Sequence, residues 1–481
     1  MQRRSRVLIG LGASLGLVAG ACSSDSKSTA TTTPTTVVAT TAPSTASTAA
    51  TTEGSTESSA AAATTDDATQ SSASPDSSTA SSRAPASSAV ETSTPAATAD
   101  KSPILIAGLI DATGPSAGDQ GNTVPVAKAW AEYINDKGGI NGHPVTFEFA
   151  DSGGDAAKGQ SQLAEMVAKN PIAILLLNSV EASLADALKA TGIPIIGVGY
   201  SPAVWGGYIE AFKLACSTDP GAPLSCALPN AFTVSTTFGA VVDEQVIGAK
   251  AAGATKLATA ACAEIEACSQ AAPVFAADAA ALGLTDTGVV KISSTAADYT
   301  SECIKFVQDG IDFIQIGAAA AAGVKLYEDC TDQGYTGIFG ASAGSVSGDL
   351  IKVDGITLAG GLNGFPWWVD DAPVKEYRDT MTAAGVTADQ YSSPTMTAVW
   401  SVLQLFAKAN ANLPDEPTKD DALAGMYTIK DETLDGLIPP ITFTEGQLAA
   451  DRPCFWPYFL KDGEFTNPNG GLKYSCYPPE S

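Results

Sequence analysis

Short apolar runs alternate with amphipathic stretches of helical period from Ser102 onward, and the alternation then repeats; no other feature limits the fold as much. Ile104–Asp111 is an apolar run that ends in a Gly/Pro loop, Thr113 to Gly121, and the spacing predicts a helix from about Val124 to Asp136. Val145–Ala150 predicts a second strand, Ala156–Lys169 a helix and Ile172–Leu177 a third strand without a polar residue. Ser179–Ala190 then reads as a helix and Pro194–Tyr200 as a fourth strand. Strands with no polar face must be covered on both sides, so this order calls for a mostly parallel sheet between layers of helix. The pattern restarts at Phe232–Ser235 and a helix near Val241–Ala252. Strands are predicted at Lys256–Ala260, Val289–Ile292, Ile311–Gly317 and Gly337–Phe339, with helices at Ala272–Leu282, Thr300–Asp309 and Gly323–Gln333 between them. Two such units make two lobes. After Thr357–Leu362 come helical stretches, Ala372–Ala384 and Thr395–Ala409, and a strand-rich end from Pro440 to Cys476.

The first hundred residues are of another kind. Arg3, Arg4 and Arg6 precede an apolar stretch, Val7 to Ala21, too short to span a bilayer and of the right length for a signal peptide. It ends Ala19-Gly20-Ala21-Cys22, which resembles the lipobox of bacterial lipoproteins, with Ala19 where Leu is usual. That resemblance implies lipidation at Cys22, and acyl chains there would anchor the protein to a membrane. Residues 23–101 are almost entirely Ser, Thr, Ala and Pro, a composition that cannot bury enough apolar area to offset chain entropy. This tract is expected to be a disordered tether spanning on the order of 50 Å.

Charge and cysteine content narrow the function. The formal net charge of −26 makes nucleic acid an improbable partner, since phosphate binding needs clustered Lys and Arg. One histidine, His143, expected at the surface, leaves little room for imidazole acid–base or metal chemistry. Apart from Cys22 there are eight cysteines, an even set that in an exported chain reads as disulfides. Neighbours in sequence suggest Cys216–Cys226, Cys262–Cys268, Cys303–Cys330 and Cys454–Cys476, out of about 105 pairings that eight cysteines allow.

Several short motifs carry a family resemblance. Thr113-Gly114-Pro115, the turn Gly138-Gly-Ile-Asn-Gly142 and Asp151 resemble the opening of the branched-chain amino-acid-binding proteins, the type 1 periplasmic binding proteins of ABC transporters. Ala297-Asp-Tyr-Thr300 and Gln333-Gly-Tyr335 look like that family's second lobe, and Ile441-Thr-Phe443 and Lys461-Asp-Gly463 like its C-terminal strands. The resemblance covers about Ser102 to Tyr477. It implies an α/β fold of two Rossmann-like lobes with parallel central sheets, joined by a three-segment hinge with crossovers near 230–234, 357–363 and 440–446. On this reading lobe 1 takes residues 102–230 and 358–440, lobe 2 takes 231–357, and 441–481 completes the hinge and lobe 2.

In open α/β sheets a ligand binds beyond the C-terminal ends of the strands. In lobe 1 this selects Gly114–Gly121, with Ser116 and Gln120, then Asp151–Asp155, Asn178–Glu181 and Gly199–Ser201. In lobe 2 it selects Ala263–Ser269 with Glu266, Ala318–Ala322, and Ala341–Ser345 with Ser342. Asn178 and Ser179 stand just before a helix, where free N–H groups suit either a ligand anion or plain N-capping. In the resembled family the loops after the third and fourth strands hold the ligand carboxylate; Ser179 and Ser201 are the matching positions. Tyr200, Trp205 and Trp367 are candidate aromatic walls, core packing being the commoner use of a lone aromatic. Amino-acid-binding members also place an acid in lobe 2 against the ligand ammonium, and Gly340-Ala-Ser-Ala-Gly344 has none. Either Glu264 or Glu266 substitutes, or the ligand is not an amino acid.

The expected function is therefore an extracytoplasmic, lipid-anchored substrate-binding protein of an ABC importer. It would be a monomer that takes a small solute, docks on a membrane permease, and needs no cofactor or metal. A ligand-sensing receptor of the same fold is the alternative within the binding class, and a structural surface lipoprotein the non-binding one. Gly340-Ala-Ser342-Ala-Gly344 also matches a hydrolase nucleophile elbow, but that triad order needs a His after the Ser, and His143 precedes it. No enzymatic activity is expected.

Overall fold

The computed structural model describes residues 101–199, 201–205, 228–235, 238–264, 272–341, 345–446 and 454–476. The expectations for Cys22, the tether, Tyr200, Cys216, Cys226, Glu266, Cys268 and Ser342 fall outside these residues.

Lobe 1 is built on five strands: β1 (Ile104–Ile110), β2 (Val145–Asp151), β3 (Ala173–Leu177), β4 (Ile195–Gly197) and β5 (Ala231–Thr233). They lie in the order β2-β1-β3-β4-β5, every pair parallel. Alternation along the central strands fills two separate cores. Ile106, Ile110, Leu175 and Leu177 point into one cluster, and Ala107, Leu109, Ile174 and Leu176 into the other. β3 is buried at every position, as its uninterrupted Ala-Ile-Leu-Leu-Leu requires. β2, at the edge, buries only Val145 fully.

Lobe 2 repeats the plan with β6 (Lys256–Cys262), β7 (Thr285–Ile292), β8 (Phe313–Gly317), β9 (Ile338–Ala341) and β10 (Leu358–Leu362). Their order, β7-β6-β8-β9-β10, is that of lobe 1 with five added to each number, and these pairs are parallel too. Three more strands, β11 (Cys454–Lys461), β12 (Glu464–Thr466) and β13 (Ser475–Cys476), extend it antiparallel from β10.

The crossovers sit a few residues later than the sequence suggests. Residues 231–233, assigned above to lobe 2, remain in the first sheet as β5. Phe232 is held there by ring contacts with Tyr427 and Phe443, 5.5 and 5.0 Å between centroids. Residues 358–362, assigned to lobe 1, are β10 of the second sheet. Helix Phe238–Ala251 lies so close on β10 that a Cβ at Gly248 would stand 2.4 Å from the Gly360 Cα. The chain then returns to lobe 1, where helices Ala372–Ala383 and Pro394–Ala409 pack on helix Thr123–Asp136.

Two of the expected disulfides are present, Cys303–Cys330 and Cys454–Cys476. Cys262 is also disulfide-bonded, to a cysteine outside the described residues. His143 is fully buried rather than exposed. Its Nδ1 lies 2.7 Å from the Ser102 carbonyl oxygen and its Nε2 2.9 Å from that of Pro414, so it ties the start of β1 to the far end of lobe 1.

Candidate functional site

The crevice edge of lobe 1 is organised by a carboxylate that ends the first strand run. Asp111, 1% exposed, accepts from the Ser152 hydroxyl at 2.6 Å and the Gly154 amide at 2.9 Å through Oδ1. Through Oδ2 it accepts from the amide and the hydroxyl of Ser179, at 2.9 and 2.6 Å. One side chain thus fastens the loops after β1, β2 and β3 together. Gly154 is needed for this closeness: its φ is +77°, and an added Cβ would stand 3.3 Å from Ser179 Oγ.

A second acid works one layer out. Asp151 Oδ1 accepts from the amides of Ala112, Thr113 and Gly153, and Oδ2 from the Thr113 hydroxyl at 2.6 Å and Lys158 Nζ at 2.9 Å. Burial pushes this carboxyl up, but the Thr113 hydroxyl and Lys158 ammonium outweigh it and hold the group well below the usual carboxylate range.

The predicted residues divide accordingly. Ser179 is at the crevice edge, but its hydroxyl and its amide both serve Asp111. Asn178, fully buried, accepts from the Val180 amide at 3.0 Å, an Asx turn leading into helix Glu181–Thr191. Ser201 stands at the head of the turn Pro202–Trp205, and its carbonyl accepts from the amides of Val204 and Trp205. Trp205 lies across the backbone of Gly199, where a Cβ would be 2.9 Å from its Cγ, and donates its indole N–H to Glu181 Oε2 at 2.7 Å. Ser116 caps the short helix Ala117–Gln120 with its backbone alone. Gln120 is buried, with no donor to its Oε1 among the described residues. Trp367 goes into the core instead of the crevice wall, 6% exposed between Trp368 and Phe465 at 4.9 and 5.1 Å, because β12 delivers Phe465 to that place.

Sequence reasoning missed Asp111 as an organiser and Asp119 altogether. Asp119, on the loop after β1, is buried and accepts from the Thr395 hydroxyl at 2.7 Å and the Ser393 hydroxyl at 3.3 Å. Burial pushes its carboxyl up to about 7, against the pull of those two hydroxyls. The available signal was the one acid between Asp111 and Glu132, placed just ahead of a helix at Val124.

Among the described residues, several strand ends of lobe 2 carry small side chains. β6 and β8 end in Cys262-Ala263 and Gly317-Ala318, and β9 ends at Ala341. Glu264 accepts from the Ser293 hydroxyl at 2.7 Å and the Ser294 amide at 2.9 Å, so it secures the loop after β7. Helix Ala320–Asp332 approaches helix Ala117–Gln120 of the other lobe, and there the two crevice edges meet. The sole imidazole is not offered to this space, since both His143 ring nitrogens face main-chain carbonyls.

Comparison with known proteins agrees with this architecture. No curated protein matches the chain. Among solved structures, a fatty acid ABC transporter substrate-binding protein from Thermomonospora curvata is similar over 77% of this chain and 92% of its own, with 18% identity and a TM-score of 0.60. A solute-binding protein of an ABC transporter from R. palustris, in complex with benzoate, is similar over 77% and 96%, with 14% identity and a TM-score of 0.59. The leucine-binding protein LivK from Thermotoga maritima covers 76% and 99%, with 13% identity and a TM-score of 0.59. These likenesses bear on the fold. The sequence pattern of the periplasmic binding protein family matches residues 103–456, most of the chain, and the chain belongs to that family.

Proposed function

We propose that this protein is the extracytoplasmic solute-binding component of an ABC importer, held to the membrane through lipidated Cys22. The observation that carries the reading is the pair of like parallel sheets, with the chain crossing between lobes three times; in such sheets the ligand lies beyond the C-terminal strand ends. Closure of such lobes around a solute creates the surface a permease recognises.

The solute is a small neutral or cationic molecule bearing N–H donors, such as an amide or amine. The relatives named above take a fatty acid, benzoate and leucine, each with a carboxylate. In this chain the N–H and hydroxyl of Ser179 are already given to Asp111, whose own charge repels a second carboxylate. The loop from Ala112 to Thr123 carries no Lys or Arg that would receive a carboxylate. A thermal-shift screen of amides, amines, amino acids and short carboxylates tests this. A true solute at ~100 times its Kd adds about 2.7 kcal/mol of stability. Stabilisation by carboxylates alone overturns the solute class, and stabilisation by nothing overturns the binding reading. Membrane fractionation of Cys22→Ser tests the anchor, since retention of the variant on the membrane refutes it.

A further inference from the structure

The lobes are gripped together at the second crossover and touch again elsewhere. At the crossover Arg378, on helix Ala372–Ala383 of lobe 1, donates to the carbonyls of Trp367 and Val369 at 2.7 and 2.6 Å. From lobe 2, Phe465 of β12 stacks on Trp368 at 4.6 Å between ring centroids. A segment fixed to both lobes can act as a pivot but cannot slide. Elsewhere Lys352 Nζ of lobe 2 lies 2.7 Å from Asp389 Oδ2 of lobe 1. Among the described residues this is the one ion pair that joins the lobes.

Both partners stand on braced backbone. Lys352 ends the 3₁₀ turn Leu350–Lys352, whose Leu350 is fully buried against helix Ala320–Asp332; a Cβ at Gly323 would meet its Cδ1 at 3.4 Å. The Ser345 hydroxyl donates to the Ala318 carbonyl and the Tyr327 hydroxyl to that of Asp354, so the segment is tied to lobe 2 on either side of Lys352. Asp389 lies on helix Ala388–Tyr391, which a capping box of Thr387 and Gln390 closes at its start. The Tyr377 hydroxyl donates to the Tyr391 carbonyl at the other end, at 2.7 Å. This short helix packs on helices Thr123–Asp136 and Pro394–Ala409, and so moves with lobe 1.

The pairing does not come from a crowded surface. Lys352 is the only Lys or Arg between Lys325 and Lys375, and Asp389 the only charged residue between Asp379 and Lys408. An isolated cation thus meets an isolated acid across the lobes of a chain whose net charge is −26. An exposed pair of this kind is weak, and its placement gives it a use: parting the lobes here breaks it, while motion within either lobe does not. We propose that Lys352 and Asp389 form an electrostatic latch that favours the closed lobes and makes closure sensitive to ionic strength. The latch rests on the crevice reading for its purpose. Its test uses protein without solute, so its failure leaves that reading to the solute screen.

Hydrogen exchange of the full-length protein, read by mass spectrometry, reports on helices Ala117–Gln120 and Ala320–Asp332, where the lobes also meet. Lys352→Asp sets two acids against each other and is expected to speed exchange there about two- to fivefold at about 20 mM NaCl. At about 0.5 M NaCl the variant and the native protein are expected to converge. Adding Asp389→Lys to Lys352→Asp restores an opposite pair and is expected to restore the native rates. Both side chains are half or more exposed, 50% and 64%, so the variants are expected to fold. Lys375→Asp, which breaks an ion pair within lobe 1, is expected to leave exchange in those helices unchanged. Native rates in Lys352→Asp, no recovery in the double variant, or acceleration confined to residues 345–357 each overturns the latch. Equal acceleration by Lys375→Asp also overturns it, since the effect would then be one of net charge.

Discussion

The two lobes share a strand order and differ in how they finish their strands. In both, an acid just beyond the first strand of the sheet holds the loop that follows the second. Asp111 does this for Ser152 and Gly154 in lobe 1, and Glu264 for Ser293 and Ser294 in lobe 2. Asp111 is buried and also holds the loop after β3, whereas Glu264 is exposed and holds one loop. The same topology therefore yields one edge fastened by a buried acid and another, among the described residues, whose acid stays in water. The chemistry of a crevice is set by the residues at the strand ends, and the order of strands decides only which of them meet.

The comparison breaks first at Asp111. Asp111→Ala leaves the amide and hydroxyl of Ser179, the Gly154 amide and the Ser152 hydroxyl without their acceptor. Removing one buried charged partner of this kind costs on the order of 3–5 kcal/mol, measured as the shift in urea-unfolding free energy. A loss below about 1 kcal/mol would show that the lobe-1 edge holds together without its acid, and the contrast with lobe 2 would fail.

Much of this molecule was legible in advance because it depends on local pattern. Ile172–Leu177 has no polar residue and so must be interior, and β3 is buried throughout. The two halves were visible as a repeated rhythm, and Cys303–Cys330 and Cys454–Cys476 as near neighbours in sequence. The site was legible as a set of loops but not as a set of bonds. Ser179 was read as either a receptor for a ligand anion or a plain N-cap, because it precedes a helix. What it meets is Asp111, 68 residues earlier, brought beside it when β1 pairs with β3. His143 and Trp367 were misplaced for the same reason, since their partners, Pro414 and Phe465, lie 271 and 98 residues away. The crossovers were displaced by a few residues because β5 and β10 are held by partners, Phe443 and the close Gly248–Gly360 approach, that local periodicity does not register.

Asp119 sharpens the contrast within lobe 1, since it is buried like Asp111 but has two hydroxyls for partners and no amide. Burial raises its carboxyl from 3.8 to about 7. The folded protein thus holds this proton more tightly than the unfolded chain. The associated stability is full below about pH 4, declines as pH rises, and is gone above about pH 7. Asp119→Asn removes the titrating group, so its stability should vary less between pH 4 and 7. At pH 8 the variant should exceed the native protein by roughly 2–4 kcal/mol. Parallel curves for the two proteins across that window would mean that Asp119 does not titrate there.

Gly154→Ala tests how tightly the lobe-1 loops must close. The position has φ +77°, and the new methyl would come 3.3 Å from Ser179 Oγ, so Ser179 must shift by a few tenths of an ångström. Strain of this conformation in a non-glycine residue costs about 1–2 kcal/mol, read as a fall in thermal stability together with weaker binding of the crevice solute. Unchanged stability with unchanged affinity would show that the Asp111–Ser179 contact tolerates slack and is not a precise fastening.

The smallest effect is expected where the lobes are most alike on paper. Glu264→Gln keeps the shape and one acceptor oxygen for Ser293 and Ser294 but removes the charge. The Ser293 hydroxyl and the Ser294 main chain and hydroxyl draw the Glu264 carboxyl below its ordinary value against a modest burial cost, so the ionised form is the one the loop uses. Because the group is exposed, water replaces most of what is lost, and the change should cost less than about 1 kcal/mol at pH 7. The difference from the native protein should shrink further as pH falls through the lowered pKa and the native carboxylate is itself neutralised. A cost equal to that of Asp111→Ala would mean that exposure does not separate the two lobes. The tighter fastening attributed to Asp111 would then belong to both lobes.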